Sequence, residues 1–209
     1  MKLILIGGPA CGKGVQAKMI CEKYGLMHIS TGDLLRDEIK QNNVLSGKLK
    51  DIITQGNLVS DDIIFKLLCG KIEQCKEYNG YLLDGFPRTS NQAVLFSGVA
   101  KPDAVILLET DYKVALSRVL ARRVCLNCKA SLKVDELKGK HCPYCSGSVG
   151  TRIDDNEEVF KKRYEIYKMQ SAPLIKYYEE MGVLVRVQND HSIDETFSEI
   201  DKYLSKLKV

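Results

Sequence analysis

The sequence has no long hydrophobic run, little net charge and no repeated or low-complexity segment. A run of about 18 apolar residues, as a transmembrane helix requires, is absent from the 209 residues. The apolar start of the chain ends at Gly7, which makes it too short for a secretion signal. The formal net charge of +4 is too small to indicate a nucleic-acid-binding surface. We therefore expect a cytoplasmic globular domain whose partners are neither membranes nor nucleic acids.

Disulfide bonds are not expected either, although the chain has eight cysteines. Reducing compartments keep thiols free, and grouped cysteines there more often bind metal or act in redox chemistry. Cys21, Cys69 and Cys75 are scattered through segments with helical periodicity, so we interpret them as packing residues. Cys11 lies in a glycine-rich loop, where a lowered pKa would expose it to oxidation, but regulation through it is not the favoured interpretation. The other four form two close pairs.

Short apolar segments alternate with helical ones along most of the chain. The pattern predicts strands at residues 2–6, 27–29, 81–84, 104–109 and 183–187. Such alternation predicts an α/β fold with five parallel strands flanked by helices, in which ligands bind beyond the carboxyl ends of the strands. Gly7, Asp84 and the end of the fourth strand should therefore face one crevice.

Two segments interrupt the alternation. Residues 30–59 are predicted to form two short helices, at 31–41 and 44–55, without a strand between them. Residues 122–155 are rich in cysteine, glycine and lysine and have no helical period. We interpret both segments as insertions, and the core domain then consists of residues 1–29, 60–121 and 156–209.

Residues 7–13 match the phosphate-binding pattern G-x-x-x-x-G-K, directly after a predicted strand and before a predicted helix. Glycines let the backbone N–H groups turn inward, the helix amino terminus adds partial positive charge, and Lys13 reaches the outer phosphates. A plain glycine-rich turn is the alternative, but every position of the motif is present. Gly14 and Val15 stand where the general pattern has a hydroxyl for Mg²⁺, so the metal needs another ligand.

Residues 80–88 offer that ligand. An apolar strand delivers Asp84 to the crevice, and Mg²⁺ prefers one or two carboxylates with phosphate oxygens, bound directly or through water. A tight turn then presents Arg88. At this point the chain resembles the adenylate kinase family, and the resemblance spans nearly the whole sequence. It rests on GGPACGKG at 7–14, ISTGDLLR at 29–36, LLDGFPRTSNQA at 82–93, ARRVC at 121–125, TRIDD at 151–155 and Arg163.

The resemblance implies a P-loop kinase that transfers a phosphoryl group between MgATP and AMP and balances the adenine nucleotides. Residues 30–59 would form an AMP-binding arm and residues 122–155 a lid. The residues implied for ATP are Ala10, Cys11, Gly12, Lys13, Gly14, Val15, Arg118, Arg122, Ser131, Leu132 and His191. Those implied for AMP are Thr31, Arg36, Asn57, Leu58, Val59, Gly85, Phe86, Pro87, Arg88, Gln92, Arg152 and Arg163. The implied catalytic set is Lys13, Asp84, Arg88, Arg122, Arg152 and Arg163.

Within this resemblance Gln92 would read the adenine edge of AMP. Val15 stands where the family usually has threonine, so one side-chain contact with an ATP phosphate is missing. Leu132 stands where an aromatic residue commonly packs on the ATP base. The many cationic residues in this set suit phosphoryl transfer, because that reaction depends on aligning the donor with the acceptor and on neutralising the charge of the transferred group. No nucleophile or dedicated base is expected.

The two cysteine pairs predict a metal site. Cys125 and Cys128 form one C-x-x-C pair and Cys142 and Cys145 the other, a pattern that delivers four thiolates to a tetrahedral Zn²⁺. Four free surface thiols are the alternative. The resemblance places these cysteines in the lid, where zinc substitutes for a core that so small a segment cannot build. His141 could compete as a ligand, and another thiophilic metal stays open.

Three other functions remain open on the sequence alone. A kinase for another monophosphate, or one that takes GTP as donor, would share the phosphate contacts, although Thr31 and Gln92 favour AMP. A zinc-ribbon nucleic-acid-binding protein would use the cysteines for recognition, but no basic stripe or interleaved aromatic residues accompany them. A catalytically inactive nucleotide sensor conflicts with the full set of arginines. A monomer is expected, since no unexplained apolar stripe indicates an interface.

Overall fold

The computed structural model describes residues 1–41, 44–134, 137 and 141–207. The strands are β1 (Lys2–Gly7), β2 (Met27–Ser30), β3 (Tyr81–Asp84), β4 (Ala104–Glu109), β5 (Arg122–Cys125), β6 (Ser131–Lys133), β7 (Val149–Gly150) and β8 (Leu184–Gln188). The helices are α1 (Lys13–Tyr24), α2 (Thr31–Lys40), α3 (Val44–Thr54), α4 (Asp61–Ile72), α5 (Ser90–Ser97), α6 (Tyr112–Ala121), α7 (Glu157–Glu180) and α8 (Ile193–Leu204).

Five strands form a parallel sheet in the order β2-β3-β1-β4-β8, which confirms the predicted α/β fold. Both faces of this sheet are covered, because alternate residues of each strand point to opposite sides. On β1, Ile4 packs in the cluster with α2 to α5 and α7, whereas Leu3 and Leu5 pack in the cluster with α1 and α8. The continuous apolar runs in the sequence are thus explained by burial on two faces.

The register brings the carboxyl ends of the strands to one edge. Leu5 of β1 and Ser30 of β2 both lie beside Asp84 of β3, and Gly7 lies beside Leu108 of β4. The segments that follow these residues therefore leave the sheet next to one another. We call the space at this edge the crevice.

The segment that we call the arm, residues 30–59, contains α2 and α3. Ser30 begins α2 as its N-cap, and its Oγ accepts a hydrogen bond from the backbone N–H of Asp33 at 3.3 Å. The observed helices Thr31–Lys40 and Val44–Thr54 end one residue before the predicted limits.

The segment that we call the lid, residues 122–155, contains a second, three-stranded antiparallel sheet in the order β6-β5-β7. The sequence predicted no helix here, but it did not predict these short strands. The lid contacts the arm: Lys129 Nζ lies 2.6 Å from both carboxylate oxygens of Asp37. It also contacts α1, where Lys18 Nζ lies 5.6 Å from the centre of the Tyr144 ring. The lid therefore contacts both the arm and the helix that follows β1.

Across residues 1–41, 44–134 and 141–207, no helix combines the length and the apolar character that a membrane-spanning helix needs.

Candidate active site

The loop between β1 and α1 is closed by its own lysine. Lys13 Nζ donates to the carbonyl oxygens of Gly7 and Gly8 at 2.8 and 2.7 Å. Gly12 has a φ of 94°, a left-handed conformation that favours glycine. A Cβ at Gly7 would lie 2.6 Å from Cys11 Sγ, so the close approach of the loop also requires glycine there. This geometry holds Lys13 and the amino terminus of α1 at the crevice, as an anion site requires.

Asn189, which follows β8, stabilises this loop through buried hydrogen bonds. Its Nδ2 donates to the carbonyl oxygen of Cys11, and its Oδ1 accepts a hydrogen bond from Thr196 Oγ1 at 2.9 Å. Asn189 and Thr196 are only 4 % and 1 % exposed, so water cannot replace these contacts. The side chain also lies against Gly12, where a Cβ would be 2.7 Å from Asn189 Nδ2. The conformation of the loop thus depends on a residue from the far end of the chain.

Asp84 ends β3 inside the crevice. It is 8 % exposed, and a Cβ at Gly14 would lie 3.7 Å from its Oδ2. The glycine after Lys13 therefore leaves space beside a carboxylate, which is the hard oxygen ligand that Mg²⁺ prefers. His28 Nε2 lies 3.4 Å from the same carboxylate oxygen. The donor set fits the predicted magnesium site, with a histidine contact that the sequence did not predict.

A turn at residues 85–88 gathers the groups predicted for AMP. Thr31 Oγ1 donates to the carbonyl oxygen of Gly85 at 3.0 Å, and Arg88 Nε donates to the same oxygen at 2.8 Å. Gly85 has a φ of 81°, and a Cβ there would lie 2.9 Å from Thr31 Oγ1. The backbone N–H of Arg88 donates to Gln92 Oε1 at 2.7 Å. Thr31, Arg88 and Gln92 are therefore neighbours around one glycine.

Several arginines lie close together beside this turn, so that their charges help to lower the pKa of Arg88, Arg152 and Arg163. We call them the arginine cluster: Arg36, Arg88, Arg122, Arg152 and Arg163. Burial, followed by the charge of Arg163, lowers the pKa of Arg88 to about 10. Burial, followed by the charges of Arg36 and Arg122, lowers the pKa of Arg152 to about 10. Both remain protonated at neutral pH. Repulsion between buried like charges makes the cluster a strong site for an anionic ligand.

Aspartates hold part of this cluster in place. Arg36 pairs with Asp33 at 2.6 Å, Arg122 Nε donates to Asp155 Oδ2 at 2.8 Å, and Arg163 pairs with Asp154. Arg152 differs, because its buried Nε has no hydrogen-bond partner within the residues that the structure describes. Buried polar groups are almost always satisfied in folded proteins. The unpaired Nε–H of Arg152 therefore remains as a donor for an acceptor atom of a ligand.

Comparisons with known proteins agree with this geometry. A sequence profile of the family described as adenylate kinase matches residues 5–183. The adenylate kinase of Caldicellulosiruptor saccharolyticus is 39 % identical over 212 residues, covering 98 % of this chain and 99 % of that protein. The adenylate kinases of Alkaliphilus oremlandii (39 % identical, 96 % of each chain) and Clostridium botulinum strain 657 (38 %, 100 % of each chain) are similar over the same extent. The chain belongs to the adenylate kinase family.

Membership confirms the predicted family, the predicted fold and the predicted class of enzyme, a nucleoside monophosphate kinase. The adenylate kinase family binds ATP and AMP and uses Mg²⁺ with ATP. The profile covers the phosphate loop, the arm, the Asp84 strand and the lid. The motifs that suggested the family are therefore spread over the matched region.

The four predicted cysteines of the lid lie together in a group that could hold a metal ion. The Sγ atoms of Cys125, Cys128, Cys142 and Cys145 all lie within 4.8 Å of one another. Cys125 and Cys145 are 3.4 Å apart, and Cys128 and Cys142 are 3.7 Å apart. Tetrahedral zinc with Zn–S bonds of about 2.3 Å requires sulfur separations of roughly 3.8 Å. The group therefore has the dimensions of a four-thiolate site, and His141 is not part of it.

Local backbone structure prepares these thiols for a metal. The two C-x-x-C turns are alike: Lys129 N donates to Cys125 O at 3.1 Å and Ser146 N to Cys142 O at 2.9 Å. Both Lys129 and Ser146 have positive φ. The backbone N–H of Gly147, followed by a hydrogen bond from Cys125, lowers the pKa of Cys145 to about 6. Within the same group, a backbone hydrogen bond at Ala130 is outweighed by burial and by hydrogen bonds with the other three cysteines, which raise the pKa of Cys128 to about 12. Cys145 thus forms a thiolate more readily than Cys128, and the thiolate is the form that binds metal.

The remaining predicted residues lie in different surroundings. Arg118 borders the phosphate loop, since a Cβ at Gly12 would lie 4.0 Å from its NH1. Leu132 is 3 % exposed and packs among the lid cysteines, so its predicted contact with ATP stays a prediction. His191 is exposed on the loop that Asn189 ties to the phosphate loop. The other predicted residues are Ala10 and Val15 in or after the loop, Phe86 and Pro87 in the turn, Ser131 in β6, and Asn57, Leu58 and Val59 after α3, and their contacts with nucleotide stay predictions.

Sequence reasoning missed the residues that hold the predicted groups in place. They are His28 beside Asp84, Asn189 and Thr196 behind the phosphate loop, Asp154 and Asp155 beside the arginines, and Asp61 beside Gln92. Asp154 and Asp155 lay within a quoted motif, so a signal existed for them. The others carry no local pattern, because each acts on a residue that is distant along the chain.

Proposed function

We propose that this chain transfers a phosphoryl group reversibly between MgATP and AMP, giving two ADP, in the crevice at the carboxyl edge of the sheet. The observation that carries the proposal is the presence of two cationic groups next to Asp84, each of which we interpret as an anion site. Lys13 and the start of α1 form one site, and Arg88 with the arginine cluster forms the other. Asp84 adjoins both, because it lies near Gly14 and its charge acts on Arg88. Donor and acceptor phosphates can thus face each other.

On the donor side we assign the ATP phosphates to the phosphate loop and Lys13. Arg118 supports this assignment, since it borders Gly12 and forms no ion pair with the described residues. Arg122 would join it from the start of the lid. The base of ATP would lie towards His191, on the loop that Asn189 attaches to the phosphate loop.

On the acceptor side we assign the AMP phosphate to Arg36 and Arg88, and its base to Thr31 and Gln92. The segment 57–59 belongs to the same site, because Gly56 packs on Arg163: a Cβ at Gly56 would lie 3.1 Å from Arg163 Cγ. Arg152 and Arg163 would contact both nucleotides. Their positive charge would stabilise the transferring phosphoryl group, and alignment supplies the rest of the catalysis.

We assign Mg²⁺ to Asp84, directly or through water, and zinc to the four lid cysteines. The magnesium ion would neutralise phosphate charge, and the zinc would serve only to fold the lid. We further propose that the arm and the lid close over bound nucleotides and exclude water from the reaction. The protein is assigned to the cytoplasm as a monomer that binds neither membranes nor nucleic acids, in line with its modest net charge.

The test is ADP formation from MgATP with AMP, UMP, CMP and GMP as separate acceptors. We expect rapid turnover with AMP and its loss in Arg88→Ala. Arg186→Ala is the matched control, because Arg186 pairs with Glu109 and Glu179 on the surface and lies outside the proposed site. Preference for another acceptor would contradict the assignment of Gln92. Absence of turnover with every acceptor would refute the proposed reaction.

A further inference from the structure

We propose that Asp61 determines base specificity by fixing the orientation of the Gln92 side-chain amide, so that Gln92 accepts an adenine edge and rejects the reversed edge of guanine or hypoxanthine. This inference rests on the proposed AMP site, in which Gln92 faces the base. It adds a residue to which no motif assigned a role, since Asp61 is the first residue of α4 and lies outside the arm.

The Gln92 amide has a partner at each end. Its Nε2 donates to Asp61 Oδ1 at 2.6 Å, and its Oε1 accepts from the backbone N–H of Arg88 at 2.7 Å. The second oxygen of Asp61 accepts a hydrogen bond from Asn91 Nδ2 at 3.2 Å. The Asp61 carboxylate is therefore held by two neighbouring side chains of α5. It cannot turn away from Gln92 without losing both contacts.

These partners allow only one orientation of the amide. An ionised carboxylate can only accept hydrogen bonds, and a backbone N–H can only donate them. Rotating the amide by half a turn would set its oxygen against Asp61 and its NH₂ group against the N–H of Arg88. Gln92 is 4 % exposed, so water cannot compensate for either mismatch. The assignment of oxygen and nitrogen in Gln92 thus follows from the network itself.

A fixed amide discriminates between base edges. In the observed orientation one N–H of Nε2 and one lone pair of Oε1 remain for a ligand. Adenine presents an acceptor at N1 and a donor at its 6-amino group, which complements this pair. Hypoxanthine has the same ring size but presents a donor at N1 and an acceptor at O6. It could bond to Gln92 only after the rotation that Asp61 and Arg88 oppose, and guanine shares this edge.

A purely structural role for Asp61 makes a different prediction. Acidic residues in the first turn stabilise a helix through its dipole, and α4 begins with Asp61 and Asp62. Asp62 is exposed, and among the described residues no hydrogen bond or ion pair joins its side chain to α5. Asp62→Asn therefore removes the same charge from the same helix turn and leaves the Gln92 network intact. It is the matched control for Asp61→Asn.

The experiment compares AMP and inosine monophosphate as acceptors, with MgATP as donor, in the wild-type enzyme and in Asp61→Asn, Asp62→Asn and Gln92→Ala. An asparagine at position 61 can present either an oxygen or an amino group to Gln92, so position 61 no longer opposes rotation of the amide, and only the backbone N–H of Arg88 still does. We expect Asp61→Asn to raise the ratio of kcat/KM for inosine monophosphate to that for AMP by about 10- to 100-fold. Asp62→Asn should leave the ratio unchanged.

The outcomes separate this inference from the proposed AMP site. An unchanged ratio in Asp61→Asn, with a raised ratio in Gln92→Ala, would overturn the role of Asp61 and retain Gln92 as the base contact. An unchanged ratio in Gln92→Ala would overturn both. Equal loss of activity with both acceptors in Asp61→Asn would indicate a structural role and also refute the inference. Dissociation constants of the two monophosphates, measured by calorimetry, give the same ratio if turnover becomes too slow.

Discussion

The contact between Asn189 and the phosphate loop predicts that a residue outside the loop controls ATP binding. Asn189→Ala removes the donor to Cys11 O and the acceptor for Thr196 Oγ1. Asn189→Asp keeps the acceptor but removes the donor, and it sets a carboxylate against a carbonyl oxygen. Because both contacts are buried, we expect Asn189→Ala to lower the free energy of unfolding by about 1–3 kcal/mol. That corresponds to a decrease in Tm of about 2–12 °C for a chain of this size.

The two variants should also affect the KM for ATP and the KM for AMP differently. We expect the KM for ATP to rise in both, and more in Asn189→Asp, because its negative charge lies beside the loop that receives phosphate. The KM for AMP should change little, since the turn at residues 85–88 does not contact Asn189. Thermal unfolding and initial rates at varied ATP and AMP are the assays, with Gln188→Ala as the exposed neighbouring control. Wild-type Tm and wild-type KM for ATP in Asn189→Asp would refute the proposed role of Asn189 in holding the phosphate loop.

Two further predictions concern the metal and the pH. Elemental analysis should find about one zinc per chain in the wild type and in Cys69→Ser, but not in Cys142→Ser. A strong chelator should produce a separate unfolding step for the lid at low temperature. A single unchanged transition in chelator would contradict the proposed role of zinc in folding the lid. Asp201 should add stability only at higher pH, because hydrogen bonds from Lys23 and then Tyr24 lower its pKa below the ordinary 3.8. A depressed folded-state pKa gives stability that is complete above 3.8 and is lost as the pH falls below it. Asp201→Asn should therefore destabilise the protein at pH 7 and lose its effect progressively as the pH falls below 3.8. An effect that does not decrease in acid would count against the pairing.

The sheet could be predicted from the sequence because its signals are local. Each buried strand is a short apolar run, and the runs at residues 81–84 and 104–109 coincide with β3 and β4. The lid sheet could not be predicted in this way. Its strands β6 and β7 have three and two residues, too few to show an alternating pattern. What orders them is the approach of four cysteines, whose spacing predicted the metal site but not the strands.

The residues of the candidate site also fall into those that a local sequence pattern predicts and those that it does not. Lys13, Asp84, Arg88 and the cysteines lie in motifs whose spacing has a physical reason, so the sequence alone could nominate them. Their supporting residues could not be nominated. Asn189 reaches Cys11 across 178 positions and Asp61 reaches Gln92 across 31, and a lone asparagine or aspartate looks the same in any surface loop. Only the folded chain shows which polar residues are buried against the motifs.

The ion pair between Lys129 and Asp37 has a consequence for how the two nucleotides respond to each other. It joins the lid to the arm, and each of these segments borders a different proposed nucleotide site. We predict that both nucleotides favour the arrangement that contains this pair; since linkage is reciprocal, AMP would then tighten the binding of ATP by the same factor as ATP tightens the binding of AMP. Both side chains are more than two-fifths exposed. An exposed pair contributes about 1 kcal/mol or less, which limits the cooperativity that it carries to about fivefold. The same factor should fall towards one as salt screens the pair.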